Sequence, residues 1–363
     1  MPEQTTNPAL SHAEFRVSIR GQKATLPNLY SLFPDWKPEL HPEYERARDE
    51  VLNPWLERWV PNPKTACKFQ EAEFGVFTAV MCARASFEKL CTVSKTFAWY
   101  FIWDDLFDCG SLASNNEAAL AYRQKSMQYI RAVLCNQEPI PDLSELSDEL
   151  QKALHCWDEV AAHLRQECSK ETLTILLEQT LFYASSVDTV DALFRKNHVP
   201  SLMEYWRRRE QTAGVYPVIA TIPFIYGVNI SHKDIETDLM QLLWRHTSSL
   251  VHMINDMFSL RKEIADNQIE NMVTVIMLND AVDCNRAMRL SYRFVKEAAQ
   301  GFLNVESRLR SQSFVAGTER SIENAFTEGC RNVVMGLTHW SYSGQRYFKQ
   351  SEINERNEVD FHI

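Results

Sequence analysis

Three carboxylates, Asp104, Asp105 and Asp108, interrupt one of the most aromatic stretches of the chain, "WYFIWDDLFDCG" at residues 99–110. Anions beside rings that normally bury are costly unless a cation neutralises them. On a helix Asp104 and Asp108 share one face, one turn apart, and Asp105 neighbours Asp108 at i,i+3. Carboxylates so spaced repel one another unless they share a cation, and oxygen-only ligation suits a hard ion such as Mg²⁺. With no Pro or Gly before Gly110, the cluster belongs at a helix C-terminus, where the macrodipole is unfavourable for anions. A bound cation would compensate. A solvated acidic helix end would give the same local pattern.

A second group of donors follows in "NDMFSLRKE", residues 255–263. Asn255, Ser259 and Glu263 at i, i+4 and i+8 fall within an arc of about 80°, and Lys262 lies on the same stripe. The three offer oxygen ligands along two helical turns, with an ammonium close enough to bind an anion held by the metal. An ordinary amphipathic helix is the commoner source of a polar stripe. Here, however, the preceding run "LLWRHTSSLVHMI" sets the stripe in a largely apolar helix, where polar groups need partners.

Taken together, "DDLFD" and "NDMFSLRKE" resemble the aspartate-rich motif and the NDxxSxxKE motif of the class I terpene synthases. Two further segments extend the resemblance. "WRRREQTAG" is similar to the family's diphosphate-sensing segment, with Arg209 as sensor and Thr212 and Ala213 at the linker and effector positions. "GLTHWSYSGQRY" is similar to its terminal Arg-Tyr pair, Arg346 and Tyr347. The four features run in the family's order over most of the chain. The resemblance implies an all-α, single-domain helical bundle around a central cavity, a prenyl diphosphate substrate and a cluster of three Mg²⁺. It implies Asp104, Asp108, Asn255, Ser259 and Glu263 as metal ligands, with Asp105 less directly involved. Arg209, Lys262 and Arg346 would meet diphosphate oxygens, and Tyr347 would donate a hydrogen bond. A permanently charged, bidentate guanidinium suits that task better than an ammonium.

The aromatic setting of Asp104 then has a chemical use. Loss of diphosphate leaves an allylic cation, which needs a surface that is electron-rich without being nucleophilic. Aromatic faces supply this at roughly 0.5 to 2 kcal/mol per desolvated contact. Phe77, Phe101 and Trp340 are the rings assigned to it, with Phe74 and Tyr100 as further candidates, whereas Trp99, Trp103 and Phe107 read as ordinary core. In "TAGVYPVIA" Pro217 is expected to break the helix carrying Arg209 and free a carbonyl such as that of Ala213. No side chain reads as a general base, and His155 and His163 read as core or surface groups.

These motifs need long helices to hold them. From Phe69 onward helical spacing dominates, punctuated by "CGSLASNNE", "NQEPIPDLSE", "KNHVPS" and "NISHKD". The expected organisation is a partly irregular, proline-rich segment 1–65 packed on the bundle, a helical domain 66–350, and a polar, solvated tail 351–363. The net charge of −10 and the lack of a basic block argue against nucleic-acid binding. No apolar run reaches membrane-spanning length, and the first residues carry no signal-peptide pattern. Nine cysteines without a CxxC pair read as reduced thiols in a cytoplasmic protein. The resemblance also allows a homodimer. Its length points to the shorter microbial or fungal type, for which farnesyl diphosphate and a sesquiterpene product are the expectation. A chain-elongating prenyltransferase would carry a second aspartate-rich motif in place of "NDMFSLRKE". A noncatalytic helical binding protein would be expected to have lost ligands, and here the full set is present.

Overall fold

Alternation of apolar residues at three- and four-residue intervals produces the longest helices and decides which face of each is buried. The computed structural model describes residues 12–108, 110–113, 115–136, 138–186, 200–266, 268–316 and 321–363. In its first half lie α1 (His12–Ile19), β1 (Lys23–Leu26), α2 (Tyr44–Ala47), α3 (Asn53–Trp59), α4 (Pro63–Glu71), α5 (Phe74–Met81), α6 (Phe87–Asp108), α7 (Asn116–Cys135), α8 (Asp148–His155), α9 (Trp157–Glu167) and α10 (Lys170–Ser186). The second half holds α11 (Leu202–Thr212), α12 (Val215–Ile219), α13 (Ile222–Tyr226), α14 (His232–Ile235), α15 (Asp238–Ala265), α16 (Met272–Asp280), α17 (Cys284–Ala316), α18 (Ser321–Ser343) and β2 (Val359–His362). The all-α expectation holds, with β1 and β2 as a small addition.

The centre of the bundle is α15. Thr237 caps its start by accepting from the Met240 amide, and Asp238 complements the dipole in the first turn. Leu243, Leu250, Ile254, Met257 and Leu260 are fully buried where the helix packs against α17 and α18. On the other side α6 is buried nearly all round. Trp99 donates to the Ala153 carbonyl at 2.7 Å and Trp103 to Ser126 Oγ at 3.2 Å, so both indoles satisfy their N–H inside the core. Helices α5 and α18 approach closely because Gly336 faces the Phe77 carbonyl; a Cβ there would sit 2.8 Å from that oxygen. This contact sets Phe77 against the cavity described below.

Phe15, Leu29, Phe33 and Trp36 from the first segment join the same core, and Trp36 meets Phe302 of α17 edge-on at 5.0 Å. The end of the chain corrects one expectation. Residues 351–363 are not a solvated tail: Val359–His362 pairs antiparallel with Lys23–Leu26, and Val359 and Phe361 are buried. Alternating apolar residues in "VDFH" give the short strand a face to bury, a signal that its many charged neighbours obscure. Arg261 of α15 clamps the approach to this strand, bonding Glu352 through both guanidinium ends at 2.6 and 3.1 Å and the Tyr347 carbonyl at 2.9 Å.

Those bonds and the Lys349 amide hold the Glu352 carboxyl down to about 2. A depressed carboxylate contributes stability that is complete above its unfolded value of roughly 4.3 and is lost as pH falls through the folded one. Glu352→Gln should therefore cost on the order of 1–2 kcal/mol at pH 6, discounted for partial exposure. The difference from the unsubstituted protein should shrink in urea titrations between about pH 4 and pH 2.

Candidate active site

Helices α5, α6, α10, α11, α12, α15 and α18 surround a cavity of about 190 Å³. Asp104 reaches it from the last turn but one of α6, and the Tyr183 hydroxyl of α10 donates to its carboxylate. Asp105 turns aside toward Lys68 of α4, 3.7 Å away, and does not line the cavity. Asp108 ends α6; its side chain lies outside the described residues.

On the facing wall Asn255 lines the same cavity. Its amide nitrogen donates to Tyr347 Oη at 2.9 Å, while among the described residues no hydrogen bond occupies its Oδ1. Ser259 and Glu263 follow at one-turn intervals toward the exposed end of α15. Asn271, fully buried ahead of α16, links the ladder: its Nδ2 donates to Glu263 at 2.9 Å and to the Asp256 carbonyl at 2.7 Å, and lies 3.5 Å from Ser259 Oγ. Burial and the nearby Asp256 charge push the Glu263 carboxyl up to about 7, against the Asn271 bond. Asp256, between Asn255 and Met257, is fully buried. It accepts from Arg209 at 3.1 Å, from the Met272 amide at 3.0 Å and from the Tyr205 hydroxyl. Burial pushes its carboxyl upward, and those partners pull the other way.

Arg209 therefore reaches the cavity already tied to α15, with its Nε sealed and unpartnered. Its neighbour Arg208 pairs instead with Glu270. The helix carrying both ends differently from the sequence expectation. Gly214, at φ +66°, breaks it, because a residue in the left-handed region after the last turn terminates a helix and glycine occupies it without penalty. Pro217 lies within the first turn of α12, where its missing N–H costs nothing. Ala213 and Gly214 line the cavity, and a Cβ on Gly214 would come within 3.3 Å of the Tyr183 ring that bonds Asp104. Gly214→Ala should cost about 1–2 kcal/mol of stability. It should also lower turnover further than partial unfolding explains, measured as activity per folded molecule.

Phe77, Phe101 and Trp340 share the cavity wall with Phe97. Phe97 stacks on Phe77 at 4.2 Å and meets Phe101 edge-on at 5.2 Å, and Trp340 is fixed by its bond to the Ala72 carbonyl at 2.7 Å. Arg346 does not line the cavity. Its guanidinium lies 5.0 Å from the Phe101 ring centre and 5.9 Å from that of Trp340, with Nε sealed and unpartnered. Lys262 is turned outward to Asp266 at 2.8 Å. His155 bonds Tyr129 and His163 bonds Thr92, both apart from the site.

Motif spacing did not reveal Phe97, Tyr183, Tyr205, His252 or Asn271. Two of them have a local signal: Phe97 stands four residues before Phe101 and seven before Asp104, and His252 three before Asn255, each on one helical face.

The donors fit a hard divalent cation. Asn255 has an unoccupied carbonyl oxygen, Ser259 a buried hydroxyl, and Glu263 a carboxylate whose charged form is penalised by its surroundings. Among the described residues no three His, Cys, Asp or Glu side chains converge, because the oxygen donors are divided between two walls and are partly amide and hydroxyl.

Residues 95–300 match the family described as terpene synthase family 2, C-terminal metal binding, and the chain belongs to that family, a class I terpene synthase that uses a divalent metal. It is 25% identical to terpene cyclase braA of Annulohypoxylon truncatum, over 93% of this chain and 90% of that one. It is 23% identical to sesquiterpene cyclase hepA of Aspergillus oryzae, over 92% and 91%. Among solved structures, linalool/nerolidol synthase from Streptomyces clavuligerus shares the fold with a TM-score of 0.71 at 17% identity, covering 84% of this chain and 98% of that one. No described helix is long and apolar enough to cross a membrane.

Proposed function

We propose that this terpene cyclase ionises farnesyl diphosphate with Mg²⁺ and closes the resulting cation to a sesquiterpene, releasing diphosphate. The observation that carries the reading is the sharing of one cavity by Asp104, Asn255 and Arg209 above a floor of aromatic rings. In this reading Asp104 and Asp108 on one wall, and Asn255, Ser259 and Glu263 on the other, hold the metal ions, three in number. Bound there, they would supply Lewis-acid stabilisation of the leaving group's charge.

The protein's own groups do the rest. Arg209 has guanidinium donors beyond the one spent on Asp256, and Arg346 and Tyr347 lie on a segment that Arg261 and Asn255 tether to α15. Donors fixed before the charge develops need no reorganisation at the moment of ionisation. Phe77, Phe97, Phe101 and Trp340 face the cation left behind. Ala213, at the helix break, is the effector position whose carbonyl meets the substrate. The described residues between 66 and 350 make up the catalytic bundle in this reading, and those from 12 to 65 its N-terminal cover.

Chain length is supported by one observation: the relative hepA is named a sesquiterpene cyclase. The test is purified protein with Mg²⁺ and C10, C15 or C20 prenyl diphosphate, with volatile products identified by mass spectrometry. A cyclic C15 hydrocarbon or alcohol is expected. A longer prenyl diphosphate formed with isopentenyl diphosphate would mark an elongase instead, and no turnover of any substrate would mark a binding protein.

A further inference from the structure

Of the polar side chains that line the cavity and that the reading above leaves unused, His252 carries the most basic lone pair. His252 lies on α15 one turn from Asn255, in the direction away from Ser259 and Glu263, and its ring lines the cavity. It is 2% exposed. Its Nδ1 is sealed without a partner, and among the described residues no hydrogen bond reaches Nε2. A buried imidazole with neither nitrogen engaged is unusual, because such groups are ordinarily paired. It is also the only imidazole among the described residues of the cavity wall. The other groups there are poorer bases: Asp104 accepts from Tyr183, Arg209 is a cation bonded to Asp256, Asn255 offers an amide whose nitrogen is on Tyr347, and the buried, unpartnered Thr212 hydroxyl is a far weaker base than an imidazole.

The geometry points to His252 as the base that ends the reaction, taking a proton from the carbon next to the final cationic centre. This deepens the function proposed above and rests on it. In the step, the C–H bond breaks and its electron pair becomes the π bond of the alkene. The proton goes to an imidazole lone pair, and the imidazolium yields it to diphosphate or water as the products leave. Two features fit the task. Burial and the Arg209 charge hold His252 down to about 3, so it is neutral at working pH with a lone pair available. A carbocation is a far stronger acid than imidazolium, so weak basicity is no obstacle. The imidazolium forms only after ionisation, when the diphosphate anion offsets the Arg209 charge that disfavours it in the empty site.

The test compares His252→Phe and His252→Gln with the unsubstituted enzyme on farnesyl diphosphate and Mg²⁺, reading diphosphate release and product distribution on the same samples. Each variant's fold is checked by circular dichroism, so that His252→Gln decides the matter if the Phe variant does not fold. The share of the main olefin per diphosphate released should fall by about tenfold or more, replaced by isomeric olefins or a water-captured alcohol. An unchanged product distribution would overturn the assignment. So would a main product that is an alcohol in the unsubstituted enzyme, or loss of diphosphate release in a folded Gln variant. Failure of the unsubstituted enzyme to release diphosphate from any prenyl diphosphate would instead refute the underlying function.

Discussion

Asn255→Ala should reduce diphosphate release by about 10²- to 10³-fold or more while leaving the helical circular dichroism spectrum intact. Asn255 stands where the two donor sets meet: its Oδ1 is unoccupied, and its amide nitrogen holds Tyr347 at 2.9 Å. Losing the oxygen weakens the stabilisation of a leaving group that must gain charge as the C–O bond breaks. A thousandfold loss corresponds to roughly 4 kcal/mol of transition-state stabilisation. Because the substitution also frees Tyr347, Tyr347→Phe is the control. It removes the hydroxyl but keeps the ring, and should cost much less than Asn255→Ala. Asp104→Ala should match Asn255→Ala in size, since the two face one cavity from opposite walls. Near-normal release by either alanine variant would contradict the ligand assignment.

The largest effect on stability should come from Asp256→Ala. It would strand the Arg209 guanidinium, the Tyr205 hydroxyl and the Met272 amide, all of which Asp256 satisfies with no exposure of its own. Removing one partner of a buried pair typically costs about 3–5 kcal/mol, because the remaining charge stays desolvated. Asp256→Asn keeps the shape and an acceptor oxygen, and should cost about 1–3 kcal/mol. Urea titrations of the three proteins would show the order. A loss below about 1 kcal/mol for the alanine variant would mean that Arg209 finds another partner. Turnover should fall in both variants, because Asp256 is the partner that orients the Arg209 guanidinium among the described residues.

How much of this was legible in the chain follows from the range of each interaction. Helical periodicity is local, so the all-α class and the ladder Asn255, Ser259 and Glu263 could be read from spacing. The partners that complete the site come from far along the chain. Tyr183 meets Asp104, Tyr205 meets Asp256, and Asn271 spans the loop back to Glu263, and nothing in the spacing of one segment predicts which tyrosine will face which acid. Asp256 is visible beside Asn255, but its burial is not, since a polar stripe at i, i+4 and i+8 says nothing of the side chain between its members. Proline is the stronger breaker inside a helix, so the sequence points to a break at Pro217. Gly214 acts first, and Pro217 then falls in a first turn that tolerates it. The last residues misled for a related reason: charge density suggested solvent, while two alternating apolar residues sufficed to pair a strand with β1.

The central claim is that two helical walls jointly hold divalent metal against a diphosphate. Crystals grown with Mn²⁺ and inorganic diphosphate test it directly through anomalous scattering. The account predicts manganese peaks at both walls, one beside Asp104 and one within ligating distance of Asn255, Ser259 and Glu263, with the diphosphate between them. Clear diphosphate density without metal at either wall, or metal bound only away from this cavity, would contradict it.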